Sequence, residues 1–88
     1  MKTEFTKHFL RDLDKPNKIS VKRDVREIIE QVEKASSLVE INNLKKLKGH
    51  TIAYRIRCGN YRIGLFIENN IVEFVCVADR KDIYKIFP

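Results

Sequence analysis

Arg55, Arg57 and Arg62 stand close together in the stretch Tyr54-Arg55-Ile56-Arg57-Cys58-Gly59-Asn60-Tyr61-Arg62. A guanidinium is permanently charged, planar, and grips phosphate or carboxylate oxygens through paired N–H donors. Three of them on one surface would make an anion site, and the spacing puts them on one surface. Apolar and basic residues alternate up to Gly59-Asn60, and alternation resumes beyond it. A strand sends alternate side chains to opposite faces, and Gly-Asn between two alternating runs is a two-residue hairpin signal. The pairing then runs Cys58–Tyr61, Arg57–Arg62, Ile56–Ile63 and Arg55–Gly64. Arg57 and Arg62 lie directly opposite one another, with Arg55 two residues away on the same face. Like charges directly opposite destabilise a sheet, so the arrangement points to a site that meets an anion.

The elements that must hold this hairpin fit into 88 residues, which read as one domain spanning 1–88 with one sheet and two or three helices around a modest core. The net charge of +6 is unevenly spread: no acid occurs between Glu40 and Glu68, where Lys45, Lys46, Lys48, Arg55, Arg57 and Arg62 all fall. No apolar run approaches membrane-spanning length and the N-terminus lacks a signal-peptide apolar region, so the expected location is cytoplasmic, with no membrane partner. Cys58 and Cys76 fall on strands separated by a third; two strand spacings are roughly 9.5 Å, beyond the ~7 Å that a disulfide spans between Cα atoms. Both read as buried free thiols. With His8 and His50 the only histidines and no Cys-x-x-Cys, no zinc site and no other cofactor is expected.

Lys2–Phe5 reads as a short edge strand. Thr6 caps a helix carrying Phe9, Leu10 and Leu13, which Pro16-Asn17 breaks. Val21, Val25, Ile28, Ile29, Val32 and Ala35 recur at helical spacing and define a second helix that Ser36-Ser37 ends. Its other face is charged and solvated, with i,i+4 pairs such as Arg23–Glu27 and Arg26–Glu30. Leu38–Gly49 reads as a connection with Lys45, Lys46 and Lys48 between apolar anchors. Strands follow at Thr51–Cys58, Tyr61–Glu68 and Ile71–Ala78, the last two joined by an Asn69-Asn70 turn. With a regular two-residue loop there, Ile63 faces Cys76 and Leu65 faces Phe74. The core face is then Tyr54, Ile56, Cys58, Tyr61, Ile63, Leu65, Ile67, Val72, Phe74 and Cys76, covered by the helices. The opposite face carries Arg55, Arg57, Arg62, Gly64, Phe66, Glu73, Val75 and Val77: basic, concave, with an apolar floor and one exposed Phe. Such a face suits phosphates and bases, or a docked peptide or helix. Structural readings compete for each residue: Arg57 and Arg62 as ion-pair partners of Glu73 and Glu68, Arg80 and Asp79 as a local pair, Tyr84 as a C-terminal anchor, Lys45, Lys46 and Lys48 as solvated charges.

The order β-α-α-β-β-β, the string Leu44-x-x-Leu47-Lys48-Gly49, the block Tyr54-Arg55-Ile56-Arg57-x-Gly59-x-Tyr61-Arg62 and the ending Arg80-Lys81-Asp82-Ile83-Tyr84 together resemble the RelE/ParE toxin superfamily. The resemblance covers nearly the whole chain and implies an α+β fold, an antiparallel sheet with two N-terminal helices packed on one face. It implies a type II toxin–antitoxin system with a cognate antitoxin protein as partner. For the RelE branch it implies a metal-independent endoribonuclease, an mRNA interferase that cuts mRNA in the ribosomal A site, with ribosome and mRNA as partners, by attack of the 2′-hydroxyl on the adjacent phosphate to give a 2′,3′-cyclic phosphate. Carried over by position, Arg62 holds the scissile phosphate, Arg80 stabilises the transition state, and Tyr84 stacks on a base or takes part in proton transfer. Arg55 and Arg57 stand where RelE itself has lysines. Arg57, Arg62, Arg80, Tyr84 and Asp79 are thus the candidate catalytic residues, and Arg55, Lys45, Lys46, Lys48 and Lys81 the candidate RNA-binding ones.

An arginine, with a pKa above about 12, is no general base, although it clamps phosphate oxygens well. The proton acceptor is therefore Tyr84 as a phenolate or Asp79, with Lys48 and Glu73 as weaker candidates. Two other readings of the same scaffold are a ParE-like inhibitor of DNA gyrase and a catalytically inactive relative that only binds its antitoxin.

Overall fold

The hairpin forms where the alternation places it. In the computed structural model, which describes residues 1–14 and 19–88, strand β3 (Ala53–Cys58) pairs antiparallel with β4 (Tyr61–Glu68) in the expected register: Cys58–Tyr61, Arg57–Arg62, Ile56–Ile63, Arg55–Gly64. Gly59 takes φ +61° and Asn60 does not leave negative φ, the pattern of a turn that reserves its first central position for glycine. Asn69 and Asn70, at φ 54° and 63°, make the second tight turn, into β5 (Ile71–Asp79).

The sheet has five strands in the order β1-β5-β4-β3-β2. β1 (Lys2–Phe5) is an edge strand as expected, but it runs parallel to β5. The segment expected as a plain connection, Leu38–Gly49, instead makes a 3-10 turn at Leu38–Glu40 and a three-residue edge strand, β2 (Leu44–Lys46), antiparallel to β3. Asn43, at φ 62°, turns the chain into it, its carbonyl 3.4 Å from the Arg57 amide nitrogen.

Helices α1 (Lys7–Leu13) and α2 (Ile19–Lys34) cover one face of this sheet. The Thr6 hydroxyl accepts from the Phe9 amide at 3.0 Å and caps α1; Phe9 is buried and Leu13 packs on the core, while Leu10, expected on the same apolar side, is half exposed. Val25, Val32 and Ala35 of the helical stripe are buried, and Val21, Ile28 and Ile29 pack at its margins. The expected pairs Arg23–Glu27 and Arg26–Glu30 do not form; Arg23 lies 3.8 Å from its neighbour Asp24, and both are exposed. Phe5, Phe9 and Phe74 stack as a trio at 5.3–5.8 Å between ring centroids. Burying one such ring is worth about 1.5–3 kcal/mol, so this cluster anchors β1 and α1 to the sheet. The break assigned to Pro16-Asn17 lies outside the described residues.

One expectation about the core is wrong by one residue. Leu65 pairs with Phe74, but Gly64 pairs with Cys76 and Ile63 with Val77, because a β-bulge inserts Val75 between them. Beyond the bulge every side chain of β5 changes face. Val77, assigned to the basic face, enters the helix-side core, and Cys76 leaves it for the other face. The bulge frees backbone groups from the ladder, and the α1 region serves them: Thr6 Oγ1 donates to the Val75 carbonyl at 2.8 Å, and the Val77 amide donates to Asp12 Oδ2 at 2.9 Å.

The second face is not an open apolar floor. After β5 the chain forms one helical turn, α3 (Ile83–Ile86), and Ile83 and Phe87 return onto Ala53 and Cys76 as a second small core, flanked by Leu47, Phe66, Val75 and Ala78. Phe66, expected exposed, is covered by the Phe87 ring at 5.2 Å. Both thiols are free and buried, and burial pushes their pKa values up, that of Cys76 to about 11. No helix of the described residues is long and apolar enough to cross a membrane.

Candidate functional site

Strand register writes the site. On the face away from α1 and α2, Lys45 lies beside Arg55 and Arg57 beside Arg62 across adjacent ladders. Four cations thus occupy two neighbouring rows of a three-strand patch. Each sits there because it alternates with a residue packed on the helix-side core: Leu44 precedes Lys45, Ile56 separates the two β3 arginines, and Tyr61 and Ile63 flank Arg62. The two core rows cannot move to the solvent side without giving up the helix-face core, so the charges are held in apposition.

No carboxylate of the described residues pairs with any of the four, although Asp24 and Glu27 of α2 line a neighbouring cavity with Arg57. Among the described residues the ion pairs are His8–Asp12 and Arg23–Asp24, both elsewhere. The competing reading, Arg57 and Arg62 paired with Glu73 and Glu68, is absent: Glu68 and Glu73 line a separate cavity at the far end of the sheet. Arg62 is oriented by the backbone instead. Its Nη1 donates to the carbonyls of Gly59 at 3.0 Å and Tyr61 at 2.9 Å, so the hairpin turn aims the guanidinium.

The C-terminal turn closes this cluster. Tyr84, three-quarters exposed, has the Arg55 guanidinium carbon 4.7 Å from its ring centroid. A hydrogen bond from Arg55 and the Arg55 charge, with smaller contributions from Lys45 and Arg62, hold the Tyr84 phenol below its ordinary value of 10.0. Asn43, Leu44, Lys45, Arg55, Arg57, Arg62 and Tyr84 line one open cavity of about 460 Å³. It offers several permanent cations to an oxyanion and one phenol poised toward its anion, the components of phosphate binding and proton transfer.

The other candidates fall elsewhere. Arg80 is exposed at the hairpin end of the sheet, its amide donating to the Asn60 carbonyl at 2.9 Å, and its side chain is not among those lining the cavity. Asp79 is not brought to the arginines at all. The bulge puts it on the Val77 face, where it lines a cavity with His8, Asp12, Tyr61 and Asp82, and its Oδ1 accepts from the Lys81 amide at 2.9 Å. Lys46 alternates to the helix side, and Lys48 and Lys81 are exposed in turns outside the cavity. Sequence reasoning missed Asn43, Gly64 and Phe87. A glycine inside a strand marks a close approach by something else, and that was the available signal.

No protein-family model matches the chain. It is 39% identical over 89 residues to Toxin RelE3 of Methanocaldococcus jannaschii, with all of both chains covered. Among solved structures it resembles the RelB-RelE antitoxin-toxin complex from Methanococcus jannaschii, at a TM-score of 0.79 and 37% identity, covering 97% of this chain and 99% of that one. The archaeal RelE-RelB complex from Pyrococcus horikoshii matches at a TM-score of 0.70 and 20% identity, over 90% and 93% of the two chains, a likeness of fold.

Proposed function

This chain belongs to the RelE family of toxins, and we propose that it is the toxin of a type II pair: a metal-independent endoribonuclease that acts in the cytoplasm on mRNA held in the ribosomal A site and is silenced by a cognate antitoxin. One observation carries the reading. Tyr84 stands over Arg55, in the same cavity as Arg57 and Arg62, with no carboxylate among the lining residues.

In this mechanism a phosphodiester enters the cavity and its non-bridging oxygens bind Arg57 and Arg62. Tyr84, as the phenolate that Arg55 stabilises, takes the proton of the adjacent 2′-hydroxyl. The 2′-oxygen bonds to phosphorus, the bond to the 5′-oxygen breaks, and that oxygen leaves with the electron pair and is protonated from water. The products are a 2′,3′-cyclic phosphate and a 5′-hydroxyl end. Charge accumulates on the phosphoryl oxygens at the transition state, where preorganised cations typically contribute about 10²–10³-fold each. Proton transfer to a positioned group adds ~10²–10⁴-fold. The relocation of Asp79 to the other face favours Tyr84 as the acceptor. Arg80 extends the basic surface at the hairpin end, and Lys45 adds a contact inside the cavity, while Lys46, Lys48 and Lys81 lie outside it. The groove is open, so the ribosome supplies the substrate geometry that a closed pocket would otherwise impose.

Inducing the chain in a bacterial host and mapping mRNA 5′ ends by primer extension tests this. Codon-phased cuts that vanish in Arg62→Ala are expected. Unimpaired translation would exclude the reading, and DNA damage with translation intact, insensitive to Arg62→Ala, would replace it with gyrase inhibition.

A further inference from the structure

A four-residue helical turn has no stability of its own, because a helix nucleus costs more than one hydrogen bond returns. The turn that carries Tyr84 is therefore held by its packing. Ile83 and Phe87, four residues apart, share one face of it and are both buried, and the Phe87 amide closes the turn on the Ile83 carbonyl at 2.9 Å. Phe87 has a specific seat. A Cβ at Gly64 would lie 2.6 Å from Phe87 Cγ, 2.8 Å from its Cδ2 and 2.9 Å from Cys76 Sγ. No side chain fits there while the ring is in place. Gly64 is also the residue directly across the ladder from Arg55. The gap in the side-chain carpet at Gly64 thus lies beside the arginine that Tyr84 covers, and the Phe66 ring packs on Phe87 at 5.2 Å.

We propose that Phe87, seated on the bare backbone of Gly64, is the latch that positions Tyr84 over Arg55. Phe87 touches no substrate; it is a positioning residue. Its effect on cleavage rests on the nuclease reading, whereas its effect on Tyr84 does not. The charged groups facing Tyr84 are Arg55 from β3, Lys45 from β2 and Arg62 from β4, and all three are cations that hold its phenol acidic. Releasing the latch moves the ring out of their field.

The test is titration of the full chain with ¹³C-labelled tyrosine, the Tyr84 resonance being assigned by its loss in Tyr84→Phe. In Phe87→Ala the Tyr84 pKa climbs toward the ordinary value of about 10. Gly64→Ala, which drives a methyl into the ring, does the same with Phe87 still present. Phe87→Leu gives a smaller rise in the same direction. Tyr54 and Tyr61, on the helix-covered face, report that the sheet is intact. On programmed ribosomes the alanine variants lose kcat by roughly 100-fold, the scale of a ~1 Å misplacement, with KM close to that of the parent because Arg57 and Arg62 are untouched. An unchanged Tyr84 pKa in the folded Phe87→Ala and Gly64→Ala variants overturns the latch. Should those variants unfold, Phe87→Leu decides by the same criterion. A parent chain that cuts no RNA would remove the nuclease reading and leave the latch to be judged by the titration.

Discussion

Arg57 and Arg62 face one another across the β3–β4 ladder, and among the described residues neither forms an ion pair with a carboxylate. Opposed like charges cost a sheet about 0.2–1 kcal/mol, so the pair is maintained against stability. Arg57→Ala should therefore raise the midpoint of chemical denaturation slightly while lowering cleavage; a variant that is both less stable and fully active would contradict the assignment. Tyr84 gives the second prediction at this scale. A phenolate acceptor must be deprotonated, so the rate rises with pH and levels off once the phenol is ionised. Arg55 lowers that pKa, which brings the plateau to lower pH than an isolated tyrosine would give. In Arg55→Ala the rising limb should move to higher pH, and in Tyr84→Phe it should disappear from single-turnover profiles. These residues were legible in the sequence because period-two alternation and a Gly-Asn turn together fix both face and register. Tyr84 needed the resemblance to a known family, since nothing in its own neighbourhood says where a C-terminal turn will land.

At the scale of elements, the bulge in β5 decides which residues reach the site. It could not be seen beforehand, because Val72 to Ala78 is apolar on both faces apart from Glu73, and a strand without alternation carries no register signal. The compensating groups lie in and just before α1: Thr6 and Asp12 sit where they serve the Val75 carbonyl and the Val77 amide that the extra residue leaves unpaired in the sheet. Asp12→Ala should leave a buried N–H without an acceptor and lower unfolding stability by about 1–3 kcal/mol in urea titration. Thr6→Val, which also removes the α1 cap, should cost about 1 kcal/mol or more. An effect near zero for both would mean that the bulge is satisfied otherwise. The β2 edge strand escaped for a related reason: Leu44-Lys45-Lys46 is too short to show a period, and its leucine reads equally as a loop anchor. The second core was invisible because Ile83 and Phe87 belong to a segment whose helical turn exists only through packing on Gly64, Ala53 and Cys76.

Across the whole molecule, the net charge of +6 matters less than its placement. The acid-free span between Glu40 and Glu68 becomes β2, β3 and most of β4, three adjacent strands, so one-dimensional charge segregation becomes a basic patch on one face. The helices take the opposite face, and the chain's last turn crosses back to deliver Tyr84. In the proposed mechanism, sheet, patch and turn form one device, with Tyr84 as its general base and Arg57 and Arg62 as its phosphate clamps. The most direct test adds the purified protein to ribosomes carrying a defined codon in the A site and analyses the mRNA fragments. The expected result is a cut confined to that codon, a 2′,3′-cyclic phosphate on the upstream fragment, no cut in the same RNA free in solution, and loss of the cut in Arg62→Ala and Tyr84→Phe. Intact ribosome-bound mRNA, or equally fast cleavage of the free RNA, would contradict it.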